Sequence, residues 1–138
     1  MDQRISLITL GVTDPARSRA FYEAMGWTAS FENDEIVFFQ LNGVVLGLFR
    51  RESFDADMMR DNDGSGRVAL AYNVRERDEV DPLLDQAVEA GGSLLKAAHQ
   101  APWGGYSGYF ADPDGHAWEI AWNDQWVIDA GGNVSMGV

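Results

Sequence analysis

The chain has 138 residues, 46% hydrophobic and 23% charged, enough to bury one core and to present a polar surface. Its formal net charge of −12 excludes a nucleic-acid backbone as partner and favours cationic ligands through long-range steering. There is no cysteine, hence no disulfide or thiolate chemistry, and no apolar run of about 20 residues that would span a membrane.

With no apolar leader segment ahead of Arg4-Ile5-Ser6-Leu7, a cytoplasmic protein without a membrane partner is the expectation. Residues 5–12 alternate, with Ile8, Leu10 and Val12 on one face and Leu7, Thr9 and Gly11 on the other, as in a strand. Asp14-Pro15 is a helix start, with Asp14 as N-cap and Pro15 at the first helical position. That helix carries Phe21, Tyr22 and Met25 on its buried face and stops at Gly26. A short strand over 27–31, a turn at 32–34, a strand over 35–41, a tight turn at Asn42-Gly43 and a returning strand over 44–49 follow.

Residues 51–66 change character, being rich in charge, Gly and Ser. They predict a linker with one short helix around 55–60, or alternatively a mobile flap over a pocket. The second half then repeats the first. A strand over 67–74, a helix over 78–90 ended by Gly91-Gly92, a strand over 93–98, a loop over 99–105 and a closing hairpin over 106–122 complete it. Asp112-Pro113-Asp114-Gly115 makes the hairpin turn. In its last strand Trp118, Ile120 and Trp122 face one way, while Ala117, Glu119 and Ala121 face the other.

One domain over 1–138 is therefore expected, of α+β class. It consists of two tandem βαβββ modules at about 4–50 and 67–123 and a C-terminal tail over 124–138. Bulky residues under the helices and small ones opposite predict a curved mixed sheet, with helices on its outer face and a concave pocket on the other. Superposing the repeats through Gly43 and Gly115 makes Gly47 the counterpart of Glu119, and Leu7 is matched with Arg67. Glu119 is a lone carboxylate on an apolar strand, which demands a partner. Phe49, Tyr109, Trp103 and Tyr106 are the aromatic candidates for lining a pocket.

The segments Leu10-Gly11-Val12-Thr13-Asp14, Ser18-Arg19-Ala20-Phe21-Tyr22 and Met25-Gly26-Trp27, with 109–119 in the second half, resemble the vicinal oxygen chelate superfamily. That group comprises glyoxalase I, bleomycin-resistance proteins and extradiol dioxygenases. The resemblance implies a divalent cation held by a residue from the first strand and one from the last strand of each module. Carried over, those positions are Leu7, Gly47, Arg67 and Glu119, of which only Glu119 is a ligand type. No metal and no other cofactor is therefore expected, and Arg67 and Glu119 are expected to pair with each other or with a ligand.

Two functional classes stay open. One is a metal-independent small-molecule-binding protein of the resistance type, taking a cationic ligand through Arg67, Glu119, Phe49, Tyr109, Trp103 and Tyr106. The other is a glyoxalase-like lyase or isomerase with Glu119 as acid/base, or as part of an atypical metal site. The resemblance also implies a homodimer.

Overall fold

The computed structural model describes residues 1, 3, 6–59, 68–102 and 104–135. The chain falls into two compact units, 1–67 and 68–138, each built on its own four-stranded mixed sheet.

The first unit runs β1 (Leu7–Val12), α1 (Pro15–Ala24), β2 (Phe31–Glu32), β3 (Ile36–Gln40), β4 (Val45–Arg50) and α2 (Arg51–Met58). Its sheet has the order β1-β4-β3-β2, with β1 parallel to β4 and the other pairs antiparallel. Local chemistry accounts for the start of α1. Asp14 lies in extended backbone, and its Oδ1 accepts from the amides of Ala16 (3.0 Å) and Arg17 (3.3 Å). The helix ends in a glycine cap. Gly26, at φ +104°, donates to the Glu23 carbonyl, the Trp27 amide donates to the Tyr22 carbonyl, and the Trp27 ring stacks on Tyr22 at 5.3 Å. The buried Phe21 and Tyr22 pack this helix over the Val37, Phe39, Leu46 and Leu48 face. Each such side chain taken from water stabilises the unit by roughly 1.5–3 kcal/mol.

α2 lies on the opposite face. It begins directly after β4, four residues earlier than the sequence predicts. Its Phe54 ring meets Phe49 edge-on at 5.5 Å and packs over Gly11. Glu35 ties the start of α2 to the turn before β3, through the Ser53 hydroxyl and through Arg50 at 3.4 Å.

The second unit runs β5 (Ala69–Asn73), a 3-10 turn (Arg77–Glu79), α3 (Val80–Glu89), β6 (Ser93–Gln100), β7 (Tyr106–Ala111) and β8 (Ala117–Trp122). Its sheet order is β5-β8-β7-β6, and β5 is parallel to β8. Both units are thus mixed sheets of one design, as the repeat predicts. α3 sets Val80, Leu84 and Ala87 into the core and stops at Gly91 (φ +110°) with the same double amide cap as α1. The β7–β8 turn is built by Asp112. Its Oδ1 accepts from the amides of Asp114 and His116, both at 2.9 Å, while the Gly115 amide donates to its carbonyl. A two-stranded hairpin, β9 (Val127–Ile128) and β10 (Val134–Ser135), closes the tail. Arg75 donates to the Asp129 carbonyl at 2.7 Å and fastens that hairpin to the loop after β5.

Candidate functional site

The face of the second sheet away from α3 is set by register. In β8, Ala117, Glu119 and Ala121 stand beside Ala69, Ala71 and Asn73 of β5 and beside Ala111, Tyr109 and Ser107 of β7. Directly opposed residues project to the same side, so Glu119 sits between Ala71 and Tyr109 on a floor made largely of alanine. Apart from Tyr109, its neighbours on this face of both adjoining strands are small or short. Tyr109, directly opposite on β7, is the group whose phenol feels this charge. Burial above all, and then the neighbouring Glu119 carboxylate, raise the Tyr109 phenol above its ordinary range.

The equivalent place in the first unit is differently furnished. Phe38 of β3 opposes Gly47 of β4, as Tyr109 opposes Glu119. A Cβ on Gly47 would lie 3.0 Å from the Phe38 ring and 3.5 Å from the Leu7 side chain. The ring therefore fills the volume that a carboxylate at this position would need.

Register corrects one equivalence drawn from the sequence. Leu7 pairs with Val45 two residues before Gly47, and Ala69 pairs with Ala117 two residues before Glu119. The counterpart of Leu7 is therefore Ala69, not Arg67. Arg67 itself lies outside the described residues, and so does its pairing with Glu119. At the four positions where the resemblance implies metal ligands stand Leu7, Gly47, Ala69 and Glu119, with one donor side chain among them. A cage of that kind does not fit these residues. Among the described residues no three His, Asp or Glu side chains cluster as a metal site would require.

The other candidates separate. Tyr106 is on the α3 side of its sheet, where its hydroxyl donates to Asp81 at 2.7 Å and the Arg77 guanidinium lies 4.0 Å over its ring. The Asp81 hydrogen bond raises its phenol pKa. Phe49 belongs to the first unit and packs against Phe54. Trp103 lies outside the described residues. His99, which the sequence places in a loop, is instead a residue of β6, opposite Ser107.

Comparison with known proteins agrees with this architecture. The model of the Glyoxalase/Bleomycin resistance protein/Dioxygenase superfamily matches residues 4–120. A metallothiol transferase FosB of Lysinibacillus sphaericus (strain C3-41) is 29% identical over 119 residues, spanning 86% of this chain and 81% of that protein. The crystal structure of a glyoxalase-related enzyme from Fulvimarina pelagi is 46% identical. It superposes with a TM-score of 0.92 and covers 96% of this chain and 97% of that one. A lactoylglutathione lyase structure from Agrobacterium tumefaciens shares the fold, with 21% identity, a TM-score of 0.68, and coverage of 88% and 95%. With two βαβββ units in tandem and a family match across most of its length, the chain belongs to the glyoxalase/bleomycin resistance protein/dioxygenase superfamily, the vicinal oxygen chelate group.

Proposed function

We propose that the chain is a metal-independent small-molecule-binding member of its family, and that it takes a cationic, amphipathic ligand on the Glu119 face of the second unit. One observation carries this reading. Of the four positions equivalent to the family's metal ligands, three are Leu7, Gly47 and Ala69, and the fourth, Glu119, stands directly opposite Tyr109. A carboxylate set among alanines and beside a phenol is suited to an ammonium group. The net charge of −12 draws such ligands in.

Native mass spectrometry of protein purified without added metal, repeated after adding zinc, manganese or nickel, tests it. The expected spectrum is a homodimer that carries no stoichiometric metal before or after the additions. Tight one-to-one metal uptake that Glu119→Gln abolishes overturns the reading.

The second reading is a lyase or isomerase with Glu119 as acid/base. It is favoured by the 46% identity to a structure described as a glyoxalase-related enzyme. Turnover of glutathione hemithioacetals that is lost in Glu119→Gln decides for it.

A further inference from the structure

β6 does not keep strict alternation against β7. Lys96 opposes Tyr109 and His99 opposes Ser107, so three steps along β6 match two along β7. Counted by alternation from Lys96, His99 would point to the α3 side. The extra residue reverses this, because opposed residues share a face and Ser107 shares that of Tyr109. Together with the earlier shift between Leu94 and Lys96, this register leaves His99 on the sheet face that carries Glu119.

Gly108 allows the bulge. A Cβ there would lie 2.8 Å from the Lys96 carbonyl oxygen, 2.8 Å from the Ala98 amide nitrogen and 2.7 Å from a Leu84 methyl. Two of these three atoms are backbone and cannot swing away, so only glycine lets the bulged segment approach β7 this closely. His99 is then locked by a 2.9 Å hydrogen bond between Nδ1 and the Ser107 carbonyl. A carbonyl only accepts, so Nδ1 carries the proton, and neutral His99 keeps its lone pair at Nε2.

We propose that His99 is a second recognition residue of this face, with Nε2 accepting a hydrogen bond from a ligand hydroxyl. This rests on the reading that the Glu119 face binds a cationic ligand. It narrows that ligand to an amine carrying a hydroxyl at a distance. Two strand spacings across and two residues along separate the Glu119 and His99 backbones by roughly 10–12 Å. Lys96 stands on the same face beside Tyr109, so the group that reaches His99 is a neutral donor and not a second ammonium.

Calorimetric titration of the full chain with an eight-carbon ω-amino alcohol and with n-octylamine tests the assignment, under mildly alkaline conditions where imidazole is ordinarily neutral. The wild type is expected to prefer the amino alcohol by about three- to tenfold, the strength of one hydrogen bond. His99→Phe and Gly108→Ala are expected to bring the ratio to about one, while His99→Gln, which keeps an acceptor near the Nε2 position, preserves most of it. Nitrogen NMR of the wild type should find Nδ1 protonated and Nε2 bare. A protonated Nε2, a wild-type ratio of one with octylamine still bound, or a preference that survives His99→Phe overturns the assignment and leaves the Glu119 reading standing. Binding of neither amine overturns both.

Discussion

Tyr109 and Glu119 stand directly opposite each other across the β7–β8 pair, at the place where Phe38 covers Gly47 in the first unit. The two halves carry the same backbone pairing and opposite chemistry. One presents a charge beside a phenol, and the other an aromatic ring over bare backbone.

Tyr109 should titrate above the ordinary tyrosine value of about 10. A raised folded-state pKa means that the folded chain holds this proton more tightly than the unfolded one. The associated stability is complete below the unfolded pKa and is lost as pH rises through the folded one. Glu119→Gln should lower the Tyr109 titration without restoring the ordinary value, because burial is the larger cause and remains. Phenolate absorbance, with Tyr109→Phe to assign the signal, checks this. An unchanged midpoint in Glu119→Gln would show that the carboxylate does not act on this phenol.

Gly47→Ala should destabilise the protein by roughly 1–2 kcal/mol, because the new methyl enters the Phe38 ring's space in a packed site. The cost should shrink to near zero in a Phe38→Ala background. Denaturant unfolding of the four proteins in this double-mutant cycle gives the coupling directly. Additive costs would mean that the ring is not what the methyl meets.

Asp112→Ala removes the acceptor of two amides at a residue that is 3% exposed. A loss of about 1–3 kcal/mol is expected from leaving those groups unpaired. Asp112→Asn, which retains a side-chain oxygen, should recover much of it. Equal unfolding midpoints for Asp112→Ala and the wild type would refute the turn's dependence on this carboxylate.

Met59 caps α2 at φ +52°, in the left-handed region, and is almost fully exposed. Its side chain contributes little packing there, while its Cβ strains the backbone. Met59→Gly should therefore stabilise by about 0.5–1 kcal/mol, the relief of strain exceeding the added freedom of the unfolded chain. Thermal unfolding reads the sign, and a fall in midpoint would refute the account.

Much of the fold was legible because local chemistry was unambiguous. Asp14-Pro15, Gly26, Gly91 and Asp112-Pro113-Asp114-Gly115 each do what residues of their kind do at caps and turns, and the structure has them doing it. The site was less legible, for two geometric reasons. A slip of two residues along a strand leaves every side chain on its own face. Period-two alternation therefore could not tell Arg67 from Ala69 as the partner of Leu7, and only the β5–β8 pairing decides it. A bulge, conversely, breaks alternation and makes a strand look finished. β6 was accordingly expected to stop at Ala98, one residue short of His99. The signal that could have extended it was Gly108 on the facing strand, a glycine within a bulky aromatic run whose only use is to admit another backbone.

β6 is also a terminal strand of its sheet among the described residues, with Leu94 and Leu95 more than half exposed. A flat, apolar strand in that position invites a second chain to add its own. The kinked backbone between Leu94 and His99 and the charge of Lys96 make it a poor template for such addition. Deleting Ala97 would straighten it, matching two steps along β6 to two along β7. His99 would stay opposite Ser107 on the same face, but a sticky ribbon edge would open to self-association. The irregularity therefore keeps molecules of this protein apart along that edge.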